Sequence, residues 1–431
     1  MVLLSSLVAF VALLNPQSDD SLLAKLVHSP TGKNGYEDYL RAGDIAGSEL
    51  WGKYETWIAY QRQLVRSASR GPEDQPEMPE VPLGVTPGMS ELSVRKVAND
   101  RLGGVCAVIE LGNRKPVSDP RPSYSMSTPV PELGRFKMLA KIYANRAHVE
   151  FADGRSGLAV KDLIEGMKFG RGLFGSTVIS SMVSIAIQAI MLAEFQEHLG
   201  QLSLTDAQLI QKYCRATLNT PLPMGEVLKR EFDAVTGSLD EIIDHPSVAL
   251  NEDLNKEFGP ALSSLGSAER QKLKGLVTNS MHERYAEMAF KLTSSASTWP
   301  LNDASTDPII RKEDHSVSNL ALLLVTELYG KDQQRQYTRA LARIQIQLRL
   351  LMLHGKLIDY HWQHNRWPLN IEEFADPFSA MDPFSGEPFH YEFKEGSYRL
   401  FSIGIPGLGP IELKYRPLPN LQQAGAIRPP A

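Results

Sequence analysis

Glu194, Glu197 and His198 share one face of a helix-length apolar segment, the carboxylate and imidazole spacing with which helical bundles hold metal ions. A di-iron bundle uses such a motif twice, and one copy is present. His354, His361 and His364 fall within about 80° of arc on a helix that turns about 100° per residue, which suits a zinc-type ion. Asp359 points to another side of that helix, and half-buried helical histidines are the commoner reason for this pattern. Ser93 and Lys96 stand at the spacing of a Ser-x-x-Lys acyl-transfer nucleophile, but the companion Ser-Asp-Asn and Lys-Thr-Gly motifs are missing. Thr31-Gly32-Lys33 lacks the upstream glycine of a phosphate loop, and neither Gly-x-Ser-x-Gly nor His-Glu-x-x-His occurs. These sets assign no catalytic residue, no metal ligand and no cofactor.

The composition narrows the function classes. The 431 residues exceed what one hydrophobic core normally serves, so two or three folded units are expected. With 45 basic and 50 acidic side chains the net charge is -5, and no basic block exists to neutralise phosphates, so nucleic acid is excluded as a partner. Cys106 and Cys214 are too few for a disulfide scaffold or a four-cysteine metal site. They form either one bridge in an oxidising compartment or, more simply, two buried thiols. Met1 to Leu14 is a charge-free apolar run of signal-peptide length, closed by Asn15-Pro16 and a polar shoulder. It is too short to span a bilayer, and it predicts processing near residues 14–20 and export; a buried core element is the alternative.

The elements that must position these residues are mainly helical. Apolar steps of three to five predict helices over Ser21 to His28 and Tyr36 to Ser69, the latter interrupted by Gly43 and Gly47. Five prolines between Gly71 and Gly88 mark a linker or extended arm, and five more lie between Lys115 and Pro131. Between them a helix is expected over Leu92 to Leu102 and a strand over Val105 to Leu111. Phe136 to Phe151 and Leu158 to Phe169 read as a helical hairpin of tetratricopeptide-like (TPR-like) character. Gly172 to Ala193 carries no charge over 22 residues, long enough for a membrane span, yet its serines and Gln188 favour a helix buried within a bundle. Further helices are expected over Val227 to Ile243, Glu252 to Phe258, Ser267 (as N-cap) to Leu292 and Ser318 to Leu328. A long helix runs from Gln333 to about Gln363, with Gly355 in its apolar seam. Asn370 with Glu373 caps a short helix after it.

The C-terminal stretch has its own logic. Asp376-Pro377 and Asp382-Pro383 initiate turns, Gly386 reverses the chain, and a hairpin is expected with Phe389, Tyr391 and Phe393 on one face and Tyr398, Leu400 and Ile403 on the partner strand. The run Asp382-Pro383-Phe384-Ser385-Gly386-Glu387-Pro388-Phe389-His390-Tyr391, with Tyr398 to Phe401 and Ser402-Ile403-Gly404, resembles the C-terminal module of the type II secretion major pseudopilin. It also resembles the ending of uncharacterised exported bacterial helical proteins, whose opening is similar to Asn34 to Gly43. The resemblance implies a long helix feeding a small sheet and a place in the cell envelope. The loop Ile405 to Pro410 lacks the acidic calcium ligands of that family, and the family's N-terminal membrane helix has no counterpart, so the fold is expected without the ion and without pilus assembly.

The expected fold class is therefore mainly α: a multi-helix bundle with a TPR-like hairpin, a long C-terminal helix and a small α+β pseudopilin-like tail. The expected division is a signal peptide at 1–15, N-terminal helices at 16–70, a proline-rich linker with a short helix and strand at 71–132, a helical bundle at 133–330, the long helix with its β-module at 331–416, and a flexible tail at 417–431. The expected function is that of an exported, non-catalytic protein acting through contacts with an envelope protein. Two alternatives stand beside it: a hydrolase or other enzyme with its site between bundle and tail, for which Glu194, His198 and His361 come first, and a membrane-embedded accessory protein.

Overall fold

The structure is a computed structural model that describes residues 21–27, 29–67, 76–294, 299, 310–311, 313–329, 331–394, 397–405 and 409–415. The leader at 1–15, the tail at 417–431 and the tip of the loop at 406–408 lie outside these residues. The protein is mainly helical with one small antiparallel sheet near its C-terminus.

Three helices open the chain: α1 (Leu22–Leu26), α2 (Gly35–Ala46) and α3 (Ser48–Ser67). The helical stretch expected over 36–69, with interruptions at Gly43 and Gly47, is divided at Gly47 alone, whose φ of +60° an L side chain rarely adopts. Gly43 stays inside α2, against Arg135 and Leu22. After the proline arm come α4 (Glu91–Leu102) and α5 (Gly104–Asn113). The strand expected over Val105 to Leu111 is instead α5. Its buried residues Val105, Cys106, Ile109 and Gly112 follow the helical period, which a seven-residue apolar run cannot distinguish from a buried strand. Gly112 lets α5 close onto α2, since a Cβ there would stand 2.6 Å from the Tyr39 ring.

The stretch between α5 and the next helix is pinned by a buried ionic cluster. Arg121 bonds Asp119 at 2.9 Å and Glu132 at 2.7 Å, and the Tyr36 hydroxyl donates to the same Glu132 oxygen. Asp119 and Glu132 share the one guanidinium, Glu132 Oε2 is buried without a hydrogen-bond partner among the described residues, and burial raises the Glu132 pKa against the pull of Arg121. Pro131 then occupies the first turn of α6 (Pro131–Ala152), where its missing N–H costs nothing. α6 returns through Gly154 (φ +76°) into α7 (Ser156–Gly172), the expected helical hairpin.

α8 (Val178–His198) packs on both, and its small and polar positions Ser180, Ser181, Ser184 and Gln188 face inward. Ser181 Oγ donates to the Thr177 carbonyl and Gln188 Nε2 bonds Ser184, so the buried polar groups are satisfied within the helix. α9 (Leu204–Asn219), α10 (Met224–Gly237), α11 (Leu239–Asp244), α12 (Glu252–Ser263), α13 (Ser267–Thr293) and α14 (Val317–Leu328) complete the bundle. The helix expected over 227–243 breaks at Ser238. The N-cap expected at Ser267 is Gly266, whose N–H donates to the Glu269 carboxylate, so Ser267 is the first helical residue.

α15 (Lys331–His364) is the long helix. Asn370 accepts from the Glu373 N–H as expected, and α16 (Pro377–Ala380) is capped by Asp376. β1 (His390–Lys394), β2 (Ser397–Ile405) and β3 (Gly409–Glu412) form the sheet in that order, with Tyr391 opposite Leu400 and Ser402 opposite Ile411. Tyr398, Leu400 and Ser402 face inward. Ile403, expected on that face, is exposed, because the strand's strict alternation gives the position to Ser402, whose hydroxyl donates to the buried Asp382 carboxylate. Asp382 also accepts from the Phe384 N–H two residues on, the turn that Asp-Pro encodes. Phe393 is likewise largely exposed, at the end of an edge strand.

Candidate functional site

The helices α6 and α8 carry the one constellation among the described residues in which three metal-ligand side chains converge. His148 lies on α6, one turn before its end, and Glu194 and His198 lie one turn apart on α8. One carboxylate oxygen, Glu194 Oε1, stands 2.8 Å from His148 Nδ1 and 2.9 Å from His198 Nε2, and the two nitrogens are 3.4 Å apart. Burial alone would raise the Glu194 pKa; hydrogen bonds to His148 and His198 outweigh it and hold the carboxyl at about 2. Glu194 is therefore a carboxylate at neutral pH.

The surroundings fix these rings. Phe151 stacks on His198 with centroids 4.2 Å apart and planes 13° from parallel, and the Gln201 side-chain amide reaches His198 Nδ1 at 2.9 Å. The His148, Glu194 and His198 side chains keep 28, 15 and 10% of their surface exposed, so the cluster has an open side. Arg62, whose charge interacts with Glu194 and Glu197, is tied to Glu91 through two nitrogens.

The other sequence candidates do different work. His354 is fully buried between the Tyr398 hydroxyl at 2.8 Å and the Leu413 carbonyl at 2.9 Å. His361 stacks on Trp367 and His364 lies against Tyr360. The three share a helix face but not a site: seven residues of α15 separate His354 from His361, about 10 Å along the axis. Asp359 accepts from Gln363, and Glu197, although on the same helix as Glu194, stays outside the triad of ligand atoms. Ser93 takes part in the N-cap of α4 with Ser90, while Lys96 pairs with Asp153 at 2.6 Å, so no serine–lysine pair forms. The backbone amides of Thr31 and Gly32 donate to the protein's own Glu37 carboxylate rather than lying open for a phosphate. Cys106 and Cys214 are free and buried, and burial pushes the Cys106 thiol up to about 12, far from a reactive thiolate.

A groove lies between α3 and the proline arm at residues 76–90, about 710 Å³ in volume, lined by Trp57, Leu64, Val65 and Met78 and also by the charged Arg62, Arg66 and Glu91. Val65 and Met78 are 79 and 55% exposed. Two polar atoms in this region, Trp57 Nε1 and Gln61 Oε1, are buried without a hydrogen-bond partner. Among the described residues, bonds from Tyr54 Oη to the Leu83 carbonyl, from Gln61 Nε2 to the Met89 carbonyl, and from Lys53 to Glu80 hold the arm to α3.

Compared with protein-family models, curated proteins and solved structures, the chain matches none of them.

Proposed function

We propose that the chain is an exported, non-catalytic helical protein that works through contacts with an envelope protein, and that its partner contributes an extended apolar segment. The observation that carries this reading is the groove under the proline arm. It is lined by exposed apolar side chains, Val65 and Met78, and by two residues with a buried donor and a buried acceptor that lack partners, Trp57 Nε1 and Gln61 Oε1. A buried polar group without a partner costs about 1–3 kcal/mol, so a segment that supplies a backbone carbonyl and N–H as the arm shifts removes that penalty. A proline-rich arm has little conformational freedom to lose on docking, which favours binding over disorder. In this reading the α6–α7 hairpin is TPR-like and the sheet with α15 is a pseudopilin-like module, both formats suited to protein contacts.

The test is crosslinking in the native host with a photoreactive residue at position 65 or 78. The expected result is one discrete adduct with an envelope protein, lost from the position-65 probe on Met78→Asp and from the position-78 probe on Val65→Asp, each at a melting temperature within about 2 °C of the probe-bearing parent. Deleting residues 71–88 should remove the same partner from co-purification. A chain that forms no adduct from either position and keeps its partner after the deletion contradicts the proposal.

A further inference from the structure

The geometry points to a binding site for one first-row divalent ion of the zinc class, which we propose is held by His148 Nδ1, Glu194 Oε1 and His198 Nε2 with its remaining positions open to water. The site does not depend on the protein-contact reading.

The donor set is of the right kind, because two imidazoles and one carboxylate suit zinc, cobalt, iron or nickel rather than calcium or magnesium. The spacing is also right. The three separations of 2.8, 2.9 and 3.4 Å define a triangle of circumradius about 1.8 Å, so a point about 1 Å off its plane lies about 2.05 Å from all three atoms, the bond length of zinc to nitrogen and oxygen. The three atoms already stand at ligand spacing. The frame is stiff: Glu194 and His198 are one turn apart on α8, His148 comes from the neighbouring α6, and Phe151 holds the His198 ring by stacking.

A supporting residue is in place for the loaded state. A metal on Nε2 of His198 requires the proton on Nδ1, where Gln201 can accept it through its amide oxygen after rotating that amide. Without an ion, Gln201 donates to Nδ1, and Nε2–H donates to Glu194.

Full-length protein is stripped with chelator and titrated with zinc chloride by calorimetry and, in parallel, with cobalt chloride by visible absorption. The expected result is one zinc ion per chain at micromolar dissociation constant or tighter, and a cobalt band of four- or five-coordinate intensity. His148→Ala and Glu194→Gln should each weaken zinc at least tenfold, whereas His361→Ala should not. His148→Gln serves as a second variant: it removes the imidazole while keeping a side chain able to bond Glu194, and circular dichroism of the stripped protein establishes that it folds. Binding that survives in folded His148→Gln, or no binding by wild type, overturns the proposal.

Discussion

At the scale of single residues, His354 shows how a candidate ligand becomes a structural joint. The Leu413 carbonyl can only accept, so Nε2 carries the proton and Nδ1 accepts from the Tyr398 hydroxyl. Burial, against a smaller opposing effect of the bond to Leu413, pulls its pKa down from 6.5 to about 4. Because the folded value lies below the unfolded one, the unfolded chain takes up the proton first as pH falls. The stability held by neutral His354 is complete above pH 6.5 and is lost as pH falls toward 4, on the order of 3 kcal/mol in all. His354→Leu leaves two buried groups unpaired and should cost about 2–4 kcal/mol at pH 7. Denaturant titrations of wild type and variant at pH 7, 5.5 and 4 should show that gap narrowing with acid; a gap that stays constant means that His354 does not titrate with folding. Glu194 and His198 were legible in the sequence because a helix brings residues four apart together. His148 was not, since it lies 46 residues from Glu194 and only the packing of α6 on α8 joins them.

At the scale of elements, glycine positions decide how closely helices approach. A Cβ on Gly355 of α15 would stand 2.9 Å from the Ala207 carbonyl of α9, backbone that cannot give way as a side chain can. Gly275 in α13 has open space around it. Gly355→Ala should therefore destabilise by about 1–3 kcal/mol despite its better helix propensity, whereas Gly275→Ala should stabilise by about 0.5–1 kcal/mol. Paired thermal melts read both, and equal shifts would mean that α9 and α15 are not in contact at that point. The long helix itself was legible because Tyr337, Leu341, Ile344, Leu348, Leu351 and Ile358 keep the helical step, and all six are buried. The misreadings arose where local pattern is degenerate. Val105 to Leu111 is apolar in either conformation, and the face of β2 was counted through Ile403 because an apolar residue there outweighed the alternation that assigns Ser402 inward.

At the scale of the whole molecule, buried side chains from Leu22 to Leu413 form one continuous apolar core. Val178–Gln201, which contains α8, is long and apolar enough to cross a membrane, yet half of its most apolar window is buried against protein. Ile187 is 0% exposed and packs where α7 has Gly170, whereas Ile179 on the same helix is 41% exposed. A chain beginning at Ser21 should be extracted without detergent, Ile187→Arg should abolish its recovery by burying an unpaired charge at a cost of several kcal/mol, and Ile179→Arg should be tolerated. A membrane span would need detergent throughout and would reject both arginines. α15 ties this core to the sheet: its body lies on α8 and α9, and its face also receives β2 and β3. In mechanical terms the helix is a beam and not a hinge, with Gly355 against Ala207 as its fulcrum. The helix has 34 residues, and its far end at Lys331 lies about 36 Å from that fulcrum, so a tilt of about 5° displaces it by about 3 Å. A displacement of the sheet is thereby carried along the helix into the bundle, because the same helix touches both.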